Sequence, residues 1–307
     1  MRTLVFVACI EPGRLEAQTV LLCRSIRRFG GRHATARIVV LQPRRTGDLR
    51  ATTRAALEEA RVELRRAPLG EAFPEYPIAS KAFAAGQVEQ DATEDVVVFV
   101  DSDSVFTQDP RALELADGAV AAVRPVNARN IGATDASDPF WAAVHARFGT
   151  EPPPLVRTAV TNERIHGYWN AGLVATRRAA GLMSSWRRVL ERMLRERIAP
   201  PGGALNHLDQ VALTVALAPV ATTVLDPRHN YPLPLRGRLD PALATHRLDE
   251  LVHVHYFRSL HTPGFLETLE PPVAGCEVAR WLRGHLPLEP TAFGSERRVR
   301  YRFASAS

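Results

Sequence analysis

The chain has 307 residues, 46% of them hydrophobic and 23% charged, which is a globular composition and excludes a mainly disordered chain. Basic residues outnumber acidic ones, 39 to 33, for a formal net charge of +6; Lys81 is the only lysine, so the other 38 are arginines (39 − 1). The longest mostly apolar stretch, Val211–Leu225, falls short of the roughly 20 residues a membrane span needs and contains Pro219.

One arginine precedes the apolar run Leu4–Ile10, which meets Glu11 and Pro12 without a small-residue cleavage pattern. A first β-strand is expected there, not a secretory signal. The three cysteines, Cys9, Cys23 and Cys276, are odd in number and lack C-x-x-C spacing. Neither a disulfide framework nor a zinc site is implied, and a cytoplasmic location is expected. Ala36–Leu41 and Val96–Val100 are further short runs rich in Val, Ile and Phe, as in strands covered on both faces. Helical stretches at Leu15–Phe29, Asp48–Ala60 and Ile78–Gln90 alternate with them. This order predicts an α/β fold with a mostly parallel, Rossmann-like sheet.

From Arg124 to Gly167 prolines, glycines and asparagines interrupt any period, around a short helical piece near Phe140–Phe148. Such connections serve as lids or binding loops. Helices are expected at Ala179–Ile198 and Leu208–Leu217, then a loop-like segment at Pro227–Pro241. The tail Glu296–Phe303 carries Arg297, Arg298, Arg300 and Arg302. The expected organisation is one catalytic domain over 1–275 with a C-terminal extension over 276–307. Its nucleotide-binding half spans about 1–123 and its acceptor-side half about 124–275.

The sharpest motif is V-V-V-F-V-D-S-D-S at Val96–Ser104. Asp101 and Asp103 follow a buried strand, where ligands bind in open α/β sheets. Residues i and i+2 of an extended segment project to one side, and two such carboxylates repel until a divalent cation joins them. The bland reading is an Asp-rich turn. Two families place D-x-D after such a strand. One is the haloacid dehalogenase class of phosphatases, with Asp101 as nucleophile. Those enzymes carry the motif near the start of the chain and a basic residue after it, whereas here the only lysine comes before.

The other is the nucleotide-sugar glycosyltransferases, and the remaining motifs favour it. I-A-S-K-A-F at Ile78–Phe83, Y-W-N-A-G-L-V at Tyr168–Val174, H-L-D-Q-V-A-L at His207–Leu213 and V-H-V-H-Y-F-R at Val252–Arg258 keep a characteristic order around the D-x-D. Together they resemble glycosyltransferase family 8, or a close relative with the same single GT-A-type domain. The resemblance spans about Leu4–Phe265. It implies Asp103 and His255 as metal ligands, with Asp101 between metal and ribose. The nucleotide would lie around Ala8, Cys9, Glu11 and Ser102. Asn170, Ala171 and Gly172 would sit beside the donor sugar, with Asp209 and Gln210 facing its hydroxyls and anomeric carbon. It also implies a UDP-sugar donor, Mn2+ or Mg2+ as cofactor, and a retaining reaction. The family's late glycine and lysine are replaced here by Arg258 and His261-Thr262-Pro263, so Arg258 is the candidate cation for the diphosphate.

The residues themselves agree in part. A leaving nucleoside diphosphate calls for positive charge, from a Lewis-acidic cation or a fixed one such as Arg258. Two aspartates and an imidazole make a usable mixed site. Of His253 and His255, one is expected to be a packed strand residue and His255 the ligand. Lys81 is either a solvated helix residue or a partner of the D-x-D. Asp209 either caps its helix or works near the anomeric centre. Glu163 and His166 are reserve acceptor-side residues. The basic amphipathic helix Trp186–Ile198 reads first as core packing and second as a membrane-surface element. The expected partners are a nucleotide-sugar donor and a small-molecule, glycan or protein acceptor. Nucleic acid is not expected, because the arginines are scattered and no recognition motif occurs. A non-catalytic basic protein for anionic surfaces is the remaining alternative.

Overall fold

The computed structural model describes residues 2–203, 205–269, 275–288 and 301–303. The first apolar run forms β1 (Leu4–Cys9), followed by α1 (Arg14–Phe29), β2 (Arg37–Gln42), α2 (Ala51–Glu59) and β3 (Glu63–Arg66). Then come α3 (Ser80–Asp91), β4 (Val96–Val100), β5 (Ser104–Phe106), β6 (Ala121–Pro125) and α4 (Pro139–Phe148). A small hairpin, β7 (Leu155–Arg157) and β8 (Arg164–His166), leads into the long β9 (Trp169–Arg177). The described chain continues through α5 (Leu182–Arg195), α6 (Leu208–Leu217), β10 (Thr222–Val224), β11 (Tyr231–Pro232), α7 (Pro241–Ala244), β12 (His253–His255) and α8 (Glu277–Arg283).

Seven strands form one sheet in the order β10-β6-β9-β4-β1-β2-β3. All its pairs are parallel except those of β9, which runs antiparallel to β4 and β6. The α/β, mostly parallel architecture is therefore the one expected. The strand alternation sorts the core. Val5 and Val7 point to one face with Ala85 and Val88 of α3 and Leu190 of α5. Leu4, Phe6 and Ala8 point to the other, with Leu22 and Ile26 of α1 and Leu57 of α2. A second sheet, β11-β12-β5, packs on the outer side of α1 through Leu21, Val105, Val254 and Tyr256. Residues of α8 join this cluster, and the Trp281 ring meets Phe29 edge to face at 5.2 Å.

Among the elements that differ from the sequence expectation, three do so for identifiable reasons. The polar run E-L-R-R is β3, an edge strand whose exposed side demands no apolar residues. The W-N-A-G motif opens β9, an interior strand between β6 and β4 that no sequence pattern marked. Residues expected as helix from Ala179 form a short 3-10 turn, and α5 starts only after Gly181, whose φ of +64° stops the turn. The apolar face of α5 is spent in the core: Met183, Trp186, Leu190 and Met193 are fully buried. None is left for a membrane surface. No helix among the described residues is long and apolar enough to cross a membrane. Arg297, Arg298 and Arg300 of the tail lie outside the described residues.

Gly181 gives α5 no capping side chain, and α3 supplies one. Buried Glu89 accepts hydrogen bonds from Met183 N at 3.0 Å and Ser184 N at 2.7 Å, placing a carboxylate at the positive end of the helix. Replacing it should leave two buried amides unpaired. Glu89→Ala is expected to lower the unfolding free energy by about 2–4 kcal/mol in urea titration, and an unchanged midpoint would refute the capping role.

Candidate active site

β4 ends at Val100 in the large sheet and β5 begins at Ser104 in the small one, so Asp101-Ser102-Asp103 is the crossing between sheets. Each residue of the crossing is tied to a different part of the fold. Asp101 N donates to Gly172 O of β9 at 2.9 Å, and Ser102 Oγ donates to Cys9 O of β1. Asp103 O accepts from Tyr256 N, just beyond β12, at 3.0 Å. The register of β9 breaks at the same place. Val123 of β6 faces Val174, yet its neighbour Arg124 faces Asn170, so residues 171–173 bulge around Gly172.

In the antiparallel pairing of β12 with β5, His255 stands opposite Ser104. Its Nε2 lies 3.0 Å from Asp103 Oδ1, and its Nδ1 lies 3.2 Å from Asn230 Oδ1. An amide oxygen only accepts, so Nδ1 carries a hydrogen and Nε2 is the atom presented to the aspartates. Asn230 Nδ2 donates onward to Asn170 Oδ1 at 3.0 Å, which also accepts from Gly172 N at 2.8 Å. Phe257 packs its ring 4.2 Å from that of His255 while holding a φ of +54°, a costly conformation for an aromatic residue. Gln18 Nε2 of α1 donates to Phe257 O at 2.9 Å and secures it. His253 has a different task. Ser104 Oγ gives its hydrogen to Asp101 O at 2.6 Å, so His253 Nε2, 2.9 Å away, donates to that hydroxyl. Burial, with His255 nearby, holds this imidazole neutral, well below its usual range.

Ligand atoms of Asp101, Asp103 and His255 all lie within 4.8 Å of one another. Burial raises the Asp101 carboxyl above its ordinary value against the pull of Lys81, with Asp103 adding to the rise. Burial also opposes ionisation of Asp103, but the His255 charge and hydrogen bond outweigh it and hold Asp103 low. His255 is raised in turn, because Asp103 outweighs its burial. Two carboxylates and an oriented imidazole, drawn together under this tension, suit a divalent cation. Lys81, on the first turn of α3, places Nζ 2.7 Å from Asp101 Oδ1 and 2.8 Å from Oδ2. Burial works against its ammonium, yet Asp101 and Asp209 hold it above the usual range.

A cleft of about 640 Å³ runs from this cluster past the C-terminal ends of β1 and β2. Cys9, Glu11, Lys81, Asp101, Ser102 and Asp103 line it. Glu11 is held by a two-point ion pair with Arg44. Burial pushes the Cys9 thiol up to about 12, so it stays protonated. Ala8 lies in the core instead, 2% exposed. His255, Asn170 and Gly172 form the layer behind the aspartates. The buried Asp209 carboxylate accepts from Tyr76 Oη at 2.9 Å, and Trp186 Nε1 donates to its carbonyl at 2.8 Å. Gln210 Nε2 is 2.8 Å from His207 Nδ1. Neither lines the cleft, nor does the exposed Arg258. Glu163 is taken up by Arg129 N and Thr161, and His166 by Pro153 O. Sequence reasoning missed Asn230, Gln18, Phe257 and Tyr76. Of these, only Asn230 carried a usable signal, as an asparagine before Tyr-Pro that tolerates its φ of +48°.

Gly172 is required by close approach. A Cβ there would sit 3.0 Å from Asn170 Oδ1 and 3.1 Å from His255 Nδ1 and Cε1. Gly172→Ala should displace Asn170 or His255 and lower the unfolding free energy by about 1–3 kcal/mol in urea titration. An unchanged midpoint would disprove that close approach.

The Rhodobacterales glycosyltransferase domain family matches residues 6–220. No curated protein matches the chain. Among solved structures, the chain is similar to the WbbM bifunctional glycosyltransferase at 13% identity and a TM-score of 0.52, over 92% of this chain and 52% of that one. It thus spans about half the length of that protein. It is also similar to the galactosyltransferase LgtC (16% identity, TM-score 0.47, 94% of this chain and 97% of that one). Mouse xyloside xylosyltransferase 1 is a further neighbour (17% identity, TM-score 0.44, 83% of this chain and 97% of that one). The WbbM likeness shows the fold, a GT-A-type sheet with flanking helices. With the family matched over most of its length, the chain belongs to the Rhodobacterales glycosyltransferase domain family and is a glycosyltransferase.

Proposed function

We propose that the chain transfers a sugar from a nucleoside diphosphate sugar, a UDP-sugar in the first place, to a small-molecule, glycan or protein acceptor. Mn2+ or Mg2+ would be held by Asp101, Asp103 and His255. The family match sets aside both the phosphatase with Asp101 as nucleophile and the non-catalytic binding protein. The observation that carries the reading is the charge balance of the cleft. Among the described residues, Arg14, Arg44 and Lys81 line it against Glu11, Asp101 and Asp103, three charges of each sign. A diphosphate entering such a cleft needs further positive charge, and the corner built from two aspartates and a histidine is where a divalent ion supplies it.

When bound, the ion would act as Lewis acid on the departing diphosphate. The protein's own groups do the rest. Lys81 fixes Asp101, and Asn230 fixes His255 so that Nε2 faces inward. Cys9, Glu11 and Ser102 border the nucleotide. By the resemblance to family 8, Asn170, Gly172 and Gln210 are assigned to the donor-sugar side, although none of them lines the cleft. Asp209, buried against Tyr76, acts by holding that wall and by its charge on Lys81. The resemblance to family 8 supports a retaining outcome. Arg258 stands outside the cleft lining, so Arg14 and Lys81 are the cations proposed for the diphosphate.

A thermal-shift screen of UDP, GDP, ADP and CDP sugars with Mn2+ tests this directly. At least one pairing should raise the melting temperature by several degrees. Asp103→Ala should abolish the metal-dependent part and reduce turnover at least about a hundredfold. No shift for any nucleotide with metal present would overturn the reading.

A further inference from the structure

Residues 301–303 run beside the cleft, beyond the stretch that the family matches. Tyr301 O accepts from Leu205 N at 2.9 Å, and its ring meets that of Tyr76 edge to face at 5.9 Å and 85°. The Arg197 guanidinium sits 4.9 Å over the Phe303 ring. Three separate contacts therefore hold this short segment in place. Tyr301 lines the cleft together with Pro43, Arg44 and Lys81, and acts on the Arg44 charge.

Among the described residues that line the cleft, two are aromatic, Phe99 and Tyr301. Phe99 is 1% exposed and packs on Trp186, so it belongs to the core. Tyr301 is half-buried, and an edge-to-face contact with Tyr76 engages at most one of its faces. The same cleft thus offers charge, from Lys81, Asp101 and Asp103, and apolar surface, from Pro43, Pro77 and Tyr301. A ligand that uses both carries phosphates and a planar ring.

We infer that Tyr301 provides the stacking surface for the base of the nucleotide donor, an inference that rests on the donor reading above. Stacking is tolerant of base identity, so Tyr301 would add affinity while other groups select the base. The C-terminal end of the chain would then complete a site whose phosphate-binding part comes from its first third.

Calorimetric titration in the presence of Mn2+ separates the possibilities. The ligands are inorganic diphosphate and whichever of UDP, GDP, ADP and CDP gives the largest thermal shift. Tyr301→Phe keeps the ring, and Tyr301→Leu keeps bulk against Tyr76 without it. Tyr301→Phe should bind the nucleoside diphosphate about as wild type does. Tyr301→Leu should lose about 5- to 100-fold in that affinity, with inorganic diphosphate changed less than about twofold. Equal nucleoside diphosphate affinity in Tyr301→Leu and wild type would overturn the inference. So would parallel losses for both ligands, which would make Tyr301 a structural strut. If wild type binds no nucleoside diphosphate at all, the donor reading itself fails and takes this inference with it.

Discussion

Three residues connect the two sheets of this enzyme, and the rest of the site depends on that crossing. Asp101, Ser102 and Asp103 leave the large sheet and enter the small one, so their backbone is held from both sides. The hydrogen bonds to Gly172, Cys9 and Tyr256 leave the two carboxylates nowhere to retreat. Carboxylates held close in a partly dry place repel, and each finds a partner of its own: the Lys81 ammonium for Asp101 and the His255 ring for Asp103. In the function proposed above, a divalent ion bound here would take the place of the hydrogen between His255 and Asp103.

Support for this corner comes from several layers. Asn230, Asn170 and Gly172 form a hydrogen-bonded chain behind His255, and Phe257 presses on its ring from a strained backbone that Gln18 secures. Ligand orientation set by such neighbours commonly governs metal affinity as much as the ligands do. The second sheet has only three short strands, and it is the pairing of β12 with β5 that carries His255 to Asp103. Packing of that sheet on α1 therefore serves the site as well as stability.

Much of this was legible in the chain. The strand before Asp101 is a continuous apolar run because it is buried on both faces, and its end is where an open sheet binds ligands. Lys81 stood out by chemistry, as the one ammonium among arginines, and it does meet Asp101. Other features were silent. β3 and β10 sit at sheet edges, where exposed sides impose no apolar pattern, and β9 hides behind an irregular segment and its own bulge. Asp209 read either as a helix cap or as a group near the anomeric centre, and nothing local marked its burial against Tyr76, a residue distant in sequence.

What the sequence determined by itself was local: strand and helix periods, the placement of two aspartates after a buried strand, and a charge excess made almost wholly of arginine. Those properties follow from residues near one another in the chain. Only the tertiary structure decided which charges meet. Among the described residues of the cleft the excess of +6 is gone and three cations face three carboxylates, because long-range packing gathers Glu11, Asp101 and Asp103 beside Arg14, Arg44 and Lys81. It also showed that His255, already the expected ligand, is the histidine at Asp103 while His253 bonds Ser104, and that Tyr301 reaches the cleft. Pairings across so many residues are set by strand register and core closure, which no local pattern encodes.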